Sequence, residues 1–436
     1  MAEIAPLKPL RYDLSRFAGG LADVVAPPYD VISPEERAEL ASRDPYNVVK
    51  LILPEGEGDA KYETAANLLA KWRSEGVLVR DDEPAFYRYE QEFTPPNGGA
   101  RRTRRGFLGL VKLQPFSARV VLPHERTLSG PKEDRLKLFR ATRTNLSPGF
   151  MLYRDPDKTL DAAIDNASPI TEFSTPDGIV HRLAKISDPE SVAAIVEGVA
   201  KSQLLIADGH HRYETALRYS EEVTSAGIVR PEHHYFMVFF ANGDDPNLLV
   251  FPTHRHVHDL PRFDFAAMCE GAKALFDVTQ LPGGASADVL LDALAKSGAE
   301  RPSLVACSGD GKAALLALKP NADLAGHAVL GSRPESLRRT DVALLHMGVL
   351  EPVLGVTPEM QAAKTNIWYP QDAAGSLREL RSGKGQVLFL MNATPVADVR
   401  RVAEAGEVMP QKSTFFHPKV LTGLCIHTLE PTRPVG

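Results

Sequence analysis

His210, His211 and Arg212 follow directly on Asp208 and Gly209 within the stretch QLLIADGHHRYETALRY at 203 to 219. Two imidazoles and a guanidinium in one turn bring several hydrogen-bond donors and positive charge together, a set that suits a phosphate or carboxylate. Three further clusters share this character. His124, Glu125, Arg126 and Thr127 are consecutive, His254 adjoins Arg255, and Lys412, Ser413 and Thr414 are followed by His417 and Lys419. The KST run is not a Walker phosphate loop, because the upstream G-x-x-x-x-G is missing and the nearest glycine, Gly406, has the wrong spacing.

The elements around these residues are legible in the pattern. Gln203 to Ala207 is an apolar run of strand length, and Tyr213 to Tyr219 has helical spacing, with Asp208-Gly209 as the break between them. Such a strand–turn–helix presents the free N–H groups and positive dipole end of a helix to an anion. Asp208 has a second reading, as a mere cap of that helix. Val120 to Leu122 reads as a strand delivering HERT to a strand end, with a helix from about Lys132 packing Leu136 and Phe139 inward. An exposed polar loop would look similar. His254, His256 and His258 alternate in an extended chain and share a face. Seven of the thirteen histidines lie between 210 and 258, so a zinc site stands beside anion binding as a reading of this region.

Elsewhere, Ser33-Pro34 with Glu36 is a helix start. Asp30 precedes it in an extended segment, as a general base, a metal ligand or a turn aspartate bonding its own backbone. Asp59 to Glu75 reads as an amphipathic helix with Tyr62, Ala65, Leu69 and Trp72 as its buried stripe. Ala85 to Phe93 and Arg105 to Leu113 alternate as two strands, and the arginines at 101, 102, 104 and 105 belong to the solvated loop tip between them or to an arm gripping an acidic ligand or a second subunit. A single helix is expected from Pro334 to Leu350.

Bulk properties narrow the class. The chain has 436 residues, 43% hydrophobic and 24% charged, as in an enzyme-sized globular protein. A net charge of -6 argues against a nucleic-acid binder. No apolar run reaches membrane-span length, and the N-terminal stretch lacks the apolar core of a signal peptide. Three separated cysteines, Cys269, Cys307 and Cys425, make neither a disulfide framework nor a zinc knuckle. A reduced, cytoplasmic protein is expected, with no nucleic-acid or membrane partner.

ADGHHRYETA, together with APPYDVIS, NVVKLILP, LPHERTLSGPKEDRL, PTHR and QKSTFFHPKVLTGL in that order, resembles the bacterial and archaeal domain-of-unknown-function 1015 family over nearly the whole chain. The glycine, the basic residues and the following helix are also similar to the phosphate loop of the ParB, sulfiredoxin and free-serine kinase superfamily. That second resemblance implies nucleotide phosphates on Asp208, Gly209, His211 and Arg212. It also implies phosphorylation of a small hydroxylated metabolite, free serine being the nearest, from ATP or ADP with Mg²⁺, for which Asp208 is the candidate ligand. In free-serine kinases a carboxylate early in the chain activates the hydroxyl. The resemblance therefore places Asp30 as base, with Glu35 and Glu36 behind it and Glu125 as the other candidate; His210 completes the catalytic set. Arg126, Arg255, Lys412 and Lys419 would neutralise charge spreading over the transferred phosphoryl group, and His124, Thr127, His254, Ser413 and Thr414 would complete the phosphate and nucleotide contacts. A nucleotide- or phosphometabolite-binding regulator without turnover and a metal-dependent hydrolase are the readings from other classes.

The expected fold is α/β of mixed α+β kind, a mixed sheet with a ParB/sulfiredoxin-like core, since strands and helices do not alternate as a βαβ series. Residues 1–258 form the main domain. Residues 259–332 are an embedded support unit or the surface of a homodimer, and 333–436 return to the main domain with KSTFFHPK.

Overall fold

The computed structural model describes residues 1–96, 98–125, 129–228 and 230–429, the side chains of 129–131 excepted. Arg126 and Thr127 of the HERT cluster lie outside the described residues. The chain divides into two compact units, Met1–Leu122 with Thr127–Leu249 and Pro418–Gly436, and Pro123–Arg126 with Val250–His417. The division falls inside the closing motif, between His417 and Pro418.

In the first unit a mixed sheet is built from β1 (Ile4–Ala5), β2 (Phe86–Phe93), β3 (Arg102–Lys112), β4 (Val121–Leu122), β5 (Gly149–Tyr153), β6 (Ser168–Ser174), β7 (Val180–Ile186), β8 (Leu204–Asp208) and β9 (Tyr235–Asn242). Their spatial order is β4-β8-β5-β9-β3-β2-β7-β6, with β1 also on β3. Only β4/β8 and β5/β9 pair in parallel among these strands; the rest are antiparallel. The mixed α/β expectation is met.

The helices of this unit follow local rules. Helix α1 (Pro34–Arg43) starts with a full capping box, in which Ser33 Oγ accepts the Glu36 N–H and Glu36 accepts the Ser33 N–H. Helix α2 (Ala60–Ser74) buries the expected stripe of Tyr62, Ala65, Leu69 and Trp72. The other long helices are α3 (Ser129–Thr142), α4 (Pro189–Ala200) and α5 (His210–Ser225). They set Leu136, Ile195, Val199, Tyr213 and Ala216 against Phe86, Phe107, Met151, Ile206 and Phe240 on one face of the sheet. Each such side chain contributes roughly 1.5–3 kcal/mol on burial, which is what holds β8 and the start of α5 in place.

The opposite face carries Tyr89, Phe150 and Phe239, whose rings meet at 5.2 to 5.5 Å. Gly106 lies opposite Tyr89 in the register, and a Cβ there would come within 2.7 Å of the Phe239 ring. Glycine is therefore what lets the Phe239 ring lie against β3. Strand β3 begins at Arg102, three residues before the expected start. That shift moves Arg104 out of the loop and into the buried face, directly opposite Gln91. The residues after Pro418 run over this face, where the Gln91 side chain donates to the Lys419 carbonyl at 2.8 Å.

The second unit holds an all-antiparallel sheet of β10 (Arg255–Val257), β11 (Phe276–Leu281), β12 (Ser303–Ser308), β13 (Ala313–Leu318), β14 (Ile367–Trp368) and β15 (Val387–Met391), in the order β11-β13-β12-β15-β10-β14. Because β12 pairs with β15, the expected boundary at 332/333 falls within one sheet, and 258/259 within one unit. Helices α6 (Phe265–Ala272), α7 (Ala287–Gly298), α8 (Ala373–Arg381) and α9 (Val396–Glu404) accompany it. A second core gathers Leu290, Leu294, Val305, Leu377, Leu388 and Leu390.

The single helix expected over 334–350 is broken into Glu335–Arg338, Asp341–Leu345 and a π-helical turn at His346–Leu350. Thr340 caps the second piece by accepting the Ala343 N–H, which competes with continuing the first. The three cysteines are all buried thiols. Among the described residues, no helix is long and apolar enough to cross a membrane.

Candidate functional site

The apolar run 204–207 is buried within the sheet, and β8 delivers Asp208 at its C-terminal end. Gly209 then takes φ +90°, a conformation side chains with a Cβ rarely adopt, and α5 starts at His210. Gly209, not Asp208, occupies the cap position, and no side chain caps the helix. The capping reading of Asp208 is therefore replaced by another role. Its Oδ1 accepts from Lys419 Nζ at 3.0 Å, and its Oδ2 pairs with the Arg212 guanidinium one helical turn on. Arg212, 8% exposed, also donates to the Pro148 carbonyl. The two cations hold the Asp208 carboxyl well below the usual carboxylate range, overriding the opposite effect of burial.

Arg104, only 1% exposed, lies within electrostatic reach of Asp208. Its guanidinium donates to Gln91 Oε1 and sits 4.8 Å from the Phe150 ring centroid and 5.5 Å from that of Phe239. Its Nε and one terminal nitrogen have no hydrogen-bond partner among the described residues. Burial pushes this guanidinium down to about 10, while Tyr89 and Asp208 act on it only through space. Three buried or nearly buried cations, Arg104, Arg212 and Lys419, thus act on Asp208. Asp30 is exposed on a short 3-10 turn, Tyr29–Val31, and lies within electrostatic reach of Arg212. The neighbouring Tyr29 ring lies 4.4 Å below the Arg135 guanidinium, and both line a small cleft with Arg212, Thr215 and Ser147. The sequence reading named Asp30, Asp208, Gly209, His210, His211, Arg212 and Lys419, all of which belong to the first unit. Arg104, expected in a loop tip or arm, lies in the strand instead, and Gln91 and Tyr29 join these residues without having been expected. The alternation of Arg104 with Gly106, Leu108 and Leu110 was the available signal.

The second unit gathers the other expected residues. His124 is fully buried, with Nε2 2.8 Å from Thr414 Oγ1, and its carbonyl accepts the Met409 N–H at 2.8 Å. Glu125 Oε1 accepts the Ser413 N–H at 2.9 Å. Arg255 is 1% exposed and bonds carbonyls of the 411–412 backbone. The KST residues precede a strand, Phe415–His417.

The histidines 254, 256 and 258 do not converge on a metal. His254 Nδ1 accepts the Met391 N–H, His256 Nε2 bonds the Lys384 carbonyl, and His258 Nδ1 meets Asp259. The rings of His256 and His258 do share a side, flanking the Trp368 indole at 5.3 and 4.0 Å. Among the described residues no group of three His, Cys, Asp or Glu side chains could hold a metal ion.

Burial holds His254 down to about 4 and His346 to about 3, both neutral in the folded unit. Their folded pKa lies below the ordinary 6.5, so the unfolded chain binds more protons, and their contribution is lost as pH falls from about 6.5 toward 3–4. Asp341, raised to about 6 by burial, works in the opposite direction between about 6 and 4. The urea midpoint of the second unit, followed by Trp368 fluorescence, is therefore expected to respond less steeply to acid in His346→Gln than in the natural chain. Equal slopes would mean that His346 is not buried neutral.

The chain belongs to the family described as "Protein of unknown function (DUF1015)", whose profile matches residues 4–343. No curated protein matches it. Among solved structures, a mutant free serine kinase in complex with ADP is similar at 13% identity and TM-score 0.36, over 68% of this chain and 84% of that one. SbnI with a C-terminal truncation, from Staphylococcus aureus, is similar at 12% identity and TM-score 0.36, over 72% and 85%. A conserved hypothetical protein from Pyrococcus furiosus is similar at 14% identity and TM-score 0.33, over 68% and 87%.

Proposed function

We propose that the first unit binds the phosphate groups of a nucleotide or phosphorylated metabolite at the start of α5, and that the protein is a phosphotransferase acting on a small hydroxylated metabolite. The observation that carries this reading is the surplus of buried positive charge around Asp208. A helix N-terminus alone is unselective, but here Arg104 lies within electrostatic reach of Asp208 with donor atoms unsatisfied among the described residues, and Lys419 and Arg212 pair with Asp208. Charge of this sign in a desolvated place is stabilised by an anion, and it would neutralise charge spreading over a transferred phosphoryl group.

In the transfer, the substrate hydroxyl oxygen forms the new P–O bond, the bond to the nucleotide's bridging oxygen breaks, and that oxygen leaves with the electron pair. Asp30 receives the hydroxyl proton, being exposed and beside Arg212. Free serine, with ATP or ADP as donor, is the substrate pair proposed, following the resemblance of the DGHHR turn to free-serine kinases. Asp208 does not fit a Mg²⁺ ligand, because each of its oxygens already faces a cation, so no step is drawn through a metal there.

Calorimetric titration with ADP and ATP, followed by a serine-dependent assay for phosphoserine, tests the reading. Lys419→Met is expected to weaken nucleotide binding. Asp30→Asn is expected to leave affinity in place and lower turnover about 100-fold or more, the usual scale of general-base catalysis. Binding without turnover in the natural chain would turn the reading to a nucleotide-binding regulator. Absence of nucleotide binding would remove both.

A further inference from the structure

At the other end of β5 from Asp208, the first unit holds a second polar cleft. Asp208 pairs with Phe150 near the start of that strand, and Tyr153 ends it about 10 Å further along, at ~3.3 Å per residue. Tyr153 lines a cleft of about 260 Å³, somewhat below the roughly 300–1,000 Å³ of drug-sized ligand sites, as suits a smaller molecule. The residue is only 2% exposed, its ring meets Phe107 at 6.1 Å, and its hydroxyl has no hydrogen-bond partner among the described residues. Burial pushes the phenol up, so it stays a neutral donor across the physiological range. A buried hydroxyl that lines a cavity without a partner is satisfied when a polar ligand group enters.

The loop beside Tyr153 is tied down at both ends. Asn242, which ends β9 and is 8% exposed, accepts the Asp155 N–H at 3.2 Å and donates to the Asp155 carbonyl at 2.6 Å. The Asp155 carboxylate in turn accepts the N–H groups of Thr159 and Leu160, each at 2.9 Å. These bonds fix the loop bearing Lys158, which lines the cleft and has no ion pair among the described residues. Arg105, opposite Glu90 in the β2/β3 register, is engaged by Asp161 and Asp165 at 2.6 Å each. Glu90 itself has Arg88 no nearer than 3.6 Å, and one Asp245 oxygen accepts the Asn247 N–H.

The balance of charge selects the ligand. Three carboxylates, Glu90, Asp161 and Asp245, line the cleft with two cations, Arg105 and Lys158. A phosphate would meet the excess of negative charge, and a simple amine would leave Lys158 without a partner. A molecule carrying one group of each sign satisfies both sets. We propose that this cleft binds a small zwitterion, a free amino acid, with its ammonium on Glu90 and Asp245 and its carboxylate on Lys158 and the Tyr153 hydroxyl. The site lies apart from the start of α5 and does not rest on the reading given to it.

The test is a thermal-shift screen of the full chain against the common L-amino acids one at a time, with glucose and inorganic phosphate alongside, then calorimetric titration of the strongest ligand. Tyr153→Phe keeps the ring on Phe107 and removes only the hydroxyl. It and Lys158→Met are each expected to weaken amino-acid binding about tenfold, the scale of one hydrogen bond to a charged group. Both variants should melt close to the natural chain. Lys71→Met, at an exposed lysine of α2 paired with Glu75, should bind as before. The N-acetyl and methyl ester forms of the amino acid, each lacking one charge, should bind at least as weakly as the variants bind the parent.

Loss in Tyr153→Phe or Lys158→Met with Lys71→Met unchanged supports the cleft. Binding of no amino acid, a stronger response to glucose or phosphate, or equal binding of the N-acetyl and ester forms would overturn it. So would an amino acid whose affinity survives both variants; if that affinity falls in Lys419→Met instead, the ligand sits at α5 and the reading of α5 stands.

Discussion

Asp208→Asn is expected to destabilise the first unit by about 3–5 kcal/mol at neutral pH, the cost of leaving buried charge without its counter-ion. The substitution keeps the shape of the side chain and removes only its charge. Arg212 and Lys419, 8% and 16% exposed at their side chains, would then face each other and Arg104 with no anion between them. A surface pair would be worth about 0–1 kcal/mol, so the size of the effect itself reports the burial.

The pH dependence has a definite sign. Asp208 is held below its ordinary 3.8, so its stabilisation is complete above that value and fades as pH falls below it. The gap between the natural chain and Asp208→Asn is accordingly expected to narrow below about pH 4. Urea unfolding in a Trp368→Phe background isolates the signal of Trp72, which is 1% exposed in the first unit. A difference under about 1 kcal/mol at pH 7 would mean that Asp208 is not the counter-ion of a buried pair of cations.

Arg104→Met is expected to act in two opposite directions. Folding stability should rise by about 1–4 kcal/mol, as when buried ionic groups give way to apolar ones of similar volume. Among the described residues the guanidinium has only Gln91 as a hydrogen-bond partner, and two of its nitrogens have none. Its position over Phe150 and Phe239 returns about 2 kcal/mol at most when desolvated, less than the cost of burying the charge. Methionine fills the same slot and makes favourable contacts with those rings. Oxyanion affinity at α5 should meanwhile fall by roughly tenfold, on the order of 1.4 kcal/mol for one positive charge removed from a poorly solvated site. A purely structural arginine would lower both quantities on removal. Loss of stability in Arg104→Met would show that the guanidinium is better satisfied than its contacts indicate.

The two effects also indicate how such a site persists. On the proposed reading, stability would be given up at Arg104 to hold charge for an anion, while Asp208 pairs with Arg212 and Lys419. Natural sequences break local rules of this kind at functional positions. Arg104 breaks the rule that a buried charge is paired.

What the sequence determined by itself was local. The apolar run ending at Asp208, the glycine at positive φ and the helix carrying HHR in its first turn follow from patterns a few residues long. So do the Ser33 capping box and the buried stripe of α2. Several long motifs in order also fixed the family. The tertiary structure decided which charges meet. Lys419 reaches Asp208 across 211 residues of chain, because the residues after Pro418 are laid over the sheet face where β8 ends. Arg104 is buried because β3 pairs in a register that puts it opposite Gln91, and a shift of one residue would have turned it to the other face. Likewise, Arg255 holds Lys412 from 157 residues away, and the break at Thr340 turns His346 into its acceptor. Propensity and capping act over one or two turns of chain, whereas electrostatic pairing depends on strand order and register. These are set by the packing of whole elements, and no spacing within a motif encodes them.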